Sequence, residues 1–137
     1  MMIEYSFYRY REHPLTYSSN QIKNISEDIV SILKEWDVEF SDKAIIAEEN
    51  NSLVGFFRYD LGDIKPWLYA AGTYVVPEYR NQNIAFNLWV KAIELEKPNK
   101  ILAHIASDGG LKLVEKIKKQ FPKILFDYSL DKKMLVA

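Results

Sequence analysis

Apolar residues recur along this chain with two periods, and the alternation between them sets out the elements. Ile3 to Arg11 alternates loosely between apolar and charged positions and predicts a strand, ended by His13-Pro14. From Gln21 to Trp36 the apolar residues fall at Ile22, Ile25, Ile29, Ile32, Leu33 and Trp36, which predicts a helix with one buried face. Ser26-Glu27-Asp28 could divide it into two short helices. Lys43–Glu49 and Leu53–Tyr59 read as strands joined by a tight turn at Asn50-Asn51-Ser52, hence a hairpin.

The stretch from Trp67 to Glu96 opens as a strand, Leu68 to Val76, and breaks at Pro77. It turns through Glu78-Tyr79-Arg80-Asn81-Gln82-Asn83, then takes helical spacing from Ile84 to Glu96. Lys97-Pro98-Asn99 stops that helix. Lys100–Ala106 is a short apolar strand and Leu111–Gln120 a helix, with Ser107 or Asp108 suited to cap it. Ile124–Leu130 and Lys132–Val136 read as two closing strands. The predicted order is β-α-β-β-β-α-β-α-β-β. Its central β-α-β unit makes Leu68–Val76 and Ile101–Ala106 parallel neighbours, with the rest of the sheet antiparallel. The fold class is therefore α/β (α+β): a mixed, mostly antiparallel sheet of about seven strands flanked by helices. No repeat or linker divides the chain, so residues 1–137 are expected to form a single domain.

Composition narrows the chemistry. The 137 residues are 48% hydrophobic and 14% aromatic, as a folded chain requires. The net charge of −1 gives no support for binding nucleic acid or an anionic membrane surface, which needs a basic excess or patch. There is no Cys, which excludes disulfides, thiolate nucleophiles and zinc-thiolate sites, and two His make a catalytic metal an unexpected feature. The charged N-terminus is unlike a signal peptide and no run is long enough to span a membrane, so a soluble cytoplasmic protein is expected.

A strand that feeds a helix through a short polar loop leaves backbone N–H groups unpaired at the helix start. Together with the helix dipole they suit an anion such as a pyrophosphate. Here the loop reads Arg80-Asn81-Gln82-Asn83-Ile84-Ala85, preceded by Val75-Val76-Pro77. With the element order, this segment resembles the GNAT superfamily of N-acetyltransferases, as a divergent member. That family's pattern is Arg or Gln, two residues, Gly, one residue, then Gly or Ala, after a strand ending in an apolar-Pro segment. Arg80 and Ala85 match it. Asn83 stands where the family has Gly, and Asn is the non-Gly residue best able to adopt the left-handed backbone a Gly would take.

The resemblance implies acetyl-CoA as co-substrate; the His and Cys counts, not the resemblance, argue for no metal. The resemblance also implies that backbone groups of Val75 and Val76 pair with the pantetheine arm, with the Val76 N–H also donating to the thioester carbonyl. The N–H groups of Asn81, Gln82, Asn83, Ile84 and Ala85, helped by Arg80, would hold the pyrophosphate. The acceptor would be an amine of a small molecule or protein, entering from the other side. The aromatic content, read separately, allows either a monomer or a homodimer. Many family members carry a Tyr as general acid seven residues after an Asn. Ser107 and Val114 stand at those two places, and Val114 cannot donate a proton. Tyr74, Ser107 and Tyr128 are the substitute catalytic candidates, though each reads first as a packing or capping residue. Glu48, Glu49 and Asp60 are candidate bases that also read as solvated hairpin charges, and His104, amid apolar residues, reads as a core histidine. Lys112, Lys116, Lys119 and Lys123 form a helical stripe that reads as a solvated face, or as a contact for a CoA phosphate or an acidic partner. A catalytically silent binding module on the same fold is the alternative to an enzyme.

Overall fold

A computed structural model of the chain describes residues 2–9, 24–25, 43–50, 52–63 and 66–132. Their elements are β1 (Glu4–Arg9), β2 (Asn24–Ile25), β3 (Lys43–Glu49), β4 (Ser52–Leu61) and β5 (Trp67–Val75), followed by a 3-10 turn (Pro77–Tyr79). Then come α1 (Ile84–Glu96), β6 (Lys100–Ile105), α2 (Asp108–Gln120) and β7 (Leu125–Leu130). One mixed sheet holds the strands in the order β1-β3-β4-β5-β6-β7, with β2 paired to β4 off this path. The architecture is the expected mixed α/β sheet with helices packed on it.

The first four strands of that order pair antiparallel, β1 with β3, β3 with β4 and β4 with β5. The β3–β4 hairpin turns at Asn50, whose φ of 51° is left-handed, a conformation Asn tolerates. As expected, β5 and β6 are parallel. The expectation that the rest of the sheet is antiparallel is corrected at β7, which runs parallel to β6 over Lys100–Ile105 and Leu125–Leu130. The cause is α2: a helix between two neighbouring strands returns the chain to the starting edge, so the chain has a second β-α-β crossover.

A further correction concerns the helix predicted over Gln21–Trp36. Asn24–Ile25 instead pair parallel with Ser52–Leu53. The paired part of β5 ends at Val75 opposite Gly55, so Ser52 and Leu53 extend beyond it and their backbone edge takes another partner. The remainder of that predicted helix, and the closing strand predicted over Lys132–Val136 beyond Lys132, lie outside the described residues.

The core sits between the sheet and α1. Ile84, Leu88, Trp89, Ala92 and Ile93 recur at helical spacing and are all buried. They pack on Ile45, Ala47, Phe57, Tyr59, Leu68 and Ile101 of the sheet. Burying each large aliphatic side chain contributes about 1.5–3 kcal/mol. The Trp89 ring stacks on Phe57 at 4.5 Å, and the Tyr59 hydroxyl donates to Glu96 Oε2 at 2.7 Å near the far end of α1. α1 ends where Lys97 turns left-handed and its N–H closes on the Ile93 carbonyl at 2.8 Å. α2 begins three residues earlier than predicted, because Ser107 caps it: its Oγ accepts from the Gly110 N–H at 3.1 Å.

Candidate active site

β5 and β6 share three register pairs, Trp67 with Lys100, Leu68 with Ile101 and Tyr69 with Leu102. Beyond them β5 stays with β4 as far as Val75, while β6 stays with β7 as far as Ile105. The two parallel strands therefore part. The register of β5 against β4 skips Ala71, since Tyr59 opposes Ala70 and Arg58 opposes Gly72. Such a bulge bends its strand, here at the level where the strands separate. The opening is a cleft of about 1000 Å³. Ala70, Ala71 and Gly72 keep its β5 wall low, Ala103 to Ser107 form the opposite wall, and the first turns of α1 and α2 close one side.

The backbone of β5 presents alternate groups to this cleft. The Val76 N–H donates to the Val54 carbonyl at 2.8 Å and so points toward β4. Strand alternation turns the backbone groups of Val75 the other way. There the Val75 carbonyl accepts from Arg80 Nε at 2.9 Å. The Val76 N–H, expected to donate to the thioester carbonyl, is engaged by Val54 here.

The loop after β5 is shaped by its asparagines. Tyr79 and Arg80 N–H groups close the 3-10 turn on Val76 and Pro77 carbonyls. Asn81 and Asn83 then take φ of 62° and 63°. Asn83 adopts the left-handed backbone its position demands, and Asn81 does so without the sequence having signalled it. Asn83 is the N-cap of α1, yet its side chain makes no capping bond to the first turn. Its Oδ1 instead accepts from Lys116 Nζ of α2 at 2.6 Å. The N–H groups of the first turn have no partner within the helix, as at any helix start.

Of the predicted cofactor contacts, Val75, Arg80, Asn81, Asn83, Ile84 and Ala85 line the cleft, whereas Val76 and Gln82 lie outside its lining. Tyr74 lines it with its ring beneath the Arg80 guanidinium, 5.4 Å from the centroid. Ser107 lines it too, with its hydroxyl engaged as the cap of α2. Tyr128 lies outside the lining; it packs against the core with Lys118 over its ring. Val114 is buried and lines the cleft, placing hydrocarbon there.

Glu48, Glu49 and Asp60 are also outside the lining. Glu49 accepts from the Tyr79 hydroxyl at 2.8 Å, and Asp60 Oδ1 from the Leu61 N–H. His104 is not the core histidine expected. Its side chain is 58% exposed and lines the cleft, with Nδ1 3.0 Å from Ser129 Oγ and Nε2 3.4 Å from Asp131 Oδ2. The signal was present in the alternation of KILAHIA: Ile101 and Ile105 point into the core, so His104 points away. Among the described residues no group of three or more His, Asp or Glu could hold a metal ion.

The model of the acetyltransferase (GNAT) family matches residues 6–108. The chain belongs to the GNAT acetyltransferase family. Solved structures of this family share its fold. A GNAT-family acetyltransferase from Streptococcus pneumoniae TIGR4 superposes with a TM-score of 0.54 at 17% identity, over 85% of this chain and 86% of that one. A ribosomal-protein-alanine N-acetyltransferase from Brucella melitensis biovar Abortus 2308 gives 0.56 at 17%, over 85% and 90%. AAC(6')-Iy in complex with the bisubstrate analogue CoA-S-monomethyl-acetylneamine gives 0.52 at 13%, over 88% and 89%. No curated protein matches the chain in sequence. The GNAT match ends at the first residue of α2, so Val114 and Lys116 stand beyond it.

Proposed function

We propose that this GNAT chain, as one domain over residues 1–137, is an N-acetyltransferase that moves an acetyl group from acetyl-CoA to an amine of a small molecule or protein. The observation that carries this reading is the parting of β5 and β6 above the Arg80–Ala85 loop. The pantetheine arm would lie along the freed β5 edge at Val75, as an added strand does. The pyrophosphate would lie on the N–H groups of Asn81, Asn83, Ile84 and Ala85 beside Arg80, with Val76 and Gln82 shaping the loop rather than facing the cleft. The amine nitrogen attacks the thioester carbonyl, the carbon–sulfur bond breaks, and the nitrogen loses a proton while the thiolate gains one.

Two side chains bear on those protons. His104 lines the cleft, and an imidazole nitrogen can act as a proton acceptor in such a transfer. Val114 offers none, so the thiolate would be protonated by solvent or by Tyr74, the half-buried phenol of the β5 wall. Ser107, committed to its cap, and Tyr128, outside the lining, serve less well.

Val114 also favours the second reading, a CoA-binding module without turnover. Calorimetry with acetyl-CoA, run beside thiol release over a panel of primary amines, separates the readings. Binding with turnover supports the enzyme, binding without turnover the silent module, and no binding at millimolar cofactor rejects both. Among the described residues no helix is long and apolar enough to cross a membrane. We place the protein in the cytoplasm as a monomer or homodimer, which fractionation and sedimentation would check.

A further inference from the structure

Lys116 and Asn83 lie 33 residues apart, on different elements, and meet at the mouth of the cleft. Lys116 Nζ donates to Asn83 Oδ1 at 2.6 Å and sits 4.4 Å from the centroid of the Phe86 ring. Both partners belong to the start of α1. An exposed lysine ordinarily samples many rotamers, and these two contacts together restrict this one. An ammonium has three donors, and Asn83 takes one of them. Arg80 approaches the same loop from the β5 side, with its Nε fixed on the Val75 carbonyl. Arg80, Lys112 and Lys116 are among the described residues that line the cleft, and no Asp or Glu is.

We propose that Asn83 and Lys116 form one device: Asn83 holds the Lys116 ammonium over the anion loop, making it a second cationic contact for the pyrophosphate of acetyl-CoA. The proposal rests on the acetyl-CoA reading above and goes beyond it by giving the departure at position 83 a function. A Gly there would adopt the left-handed backbone more readily than Asn, but it has no side chain with which to hold a lysine. The Asn side chain does not crowd the loop, because it is turned toward α2. The same stripe of lysines thereby divides: Lys116 belongs to the cleft by an explicit contact, while Lys119 lies outside its lining.

The test is a double-mutant cycle read by calorimetry with acetyl-CoA and with dephospho-CoA. Lys116→Met is expected to weaken acetyl-CoA binding about tenfold, the scale of one charge-assisted hydrogen bond. Lys119→Met, which removes the same charge outside the cleft, is expected to leave affinity unchanged, and Lys116→Arg to recover part of the loss. Asn83→Gly is expected to weaken binding in the wild-type background and to have no further effect in Lys116→Met. Dephospho-CoA is expected to show the same Lys116 loss, since it keeps the pyrophosphate and lacks the 3′-phosphate. Tighter or equal binding by Asn83→Gly, or equal losses in Lys116→Met and Lys119→Met, overturns the proposal. A loss confined to acetyl-CoA assigns Lys116 to the 3′-phosphate and overturns it also. If the wild-type chain binds no acetyl-CoA, the functional reading fails and the proposal with it. Positions 83 and 116 are both exposed, and thermal melts by circular dichroism confirm that the variants fold.

Discussion

The indole Nε1 of Trp89 donates to Thr73 Oγ1 at 2.7 Å, joining α1 to β5 at the level where β5 has left β6. Trp89 is 4% exposed and stacked on Phe57, so its N–H has little access to water. The bond fixes the helix that carries the anion loop against the strand that forms the cleft wall. Replacing Thr73 by Val keeps the shape and removes the acceptor. The expected cost is about 1–3 kcal/mol, the penalty of an orphaned buried donor, whereas Thr73→Ser keeps the hydroxyl and costs less. Denaturant unfolding of the two variants checks the order.

Arg80 joins the loop to the strand through its Nε and stacks over Tyr74. Its side chain is exposed, so folding stability should change little on substitution. Acetyl-CoA affinity should fall about tenfold or more in Arg80→Ala. Arg80→Lys restores the charge but lacks the planar fork that reaches the Val75 carbonyl and a phosphate together, so it should recover only part. Calorimetry on the pair measures both effects. Equal affinity in wild type and Arg80→Ala would remove Arg80 from the site.

What the sequence disclosed and what it concealed divide by range. The Lys43–Glu49 hairpin arm, the helix over Ile84–Glu96 and the Arg80–Ala85 loop were legible because each is encoded by neighbours: a period, a proline, a run of polar residues. The parallel partnership of β6 with β7 depends on where α2 lands, which no local pattern states. The pairing of Asn24–Ile25 with Ser52–Leu53 answers an unfilled sheet edge, another tertiary fact. His104 stands among apolar neighbours, and the alternation that buries Ile101 and Ile105 turns it outward. The Asn83–Lys116 and Trp89–Thr73 bonds each join residues on different elements, and side-chain placement at that range is fixed by packing.

Gly55 on β4 is opposite Val75, one residue after the bulge that displaces Val54 from the β3 register. A Cβ there would stand 3.1 Å from the Tyr74 carbonyl oxygen and 3.3 Å from Val75 Cγ2. Backbone yields less readily than a flexible side chain, so β5 must give by a few tenths of an ångström just where it enters the anion loop. Gly55→Val should therefore destabilise by about 1–3 kcal/mol and Gly55→Ala by less. Both should weaken acetyl-CoA binding beyond what Thr73→Val does at equal loss of melting temperature. Melting curves with calorimetry at a common temperature compare them, and an undiminished melting temperature in Gly55→Val would contradict the crowding.

Glu48 gives the stability of the fold a pH dependence. It is partly buried on β3, directly across from Glu4 on β1. Burial first, and then the Glu4 charge, raise its carboxyl above the usual glutamate range. The folded state thus holds the Glu48 proton more firmly than the unfolded chain does. In the interval above the ordinary glutamate range the folded state binds more protons, so stability falls as the pH rises through it. The contribution is fully present below the ordinary glutamate range and lost as the pH rises through the raised one. Glu48→Gln, which keeps the shape without the charge, should therefore gain on the wild type as the pH is raised from about 4 toward neutrality. Glu4→Gln should show a smaller gain of the same sign, because it relieves only the repulsion and leaves the burial. Urea unfolding of the three proteins across that range measures the differences. A gap between wild type and Glu48→Gln that is flat from about pH 4 upward would show that Glu48 titrates alike in the folded and unfolded chain.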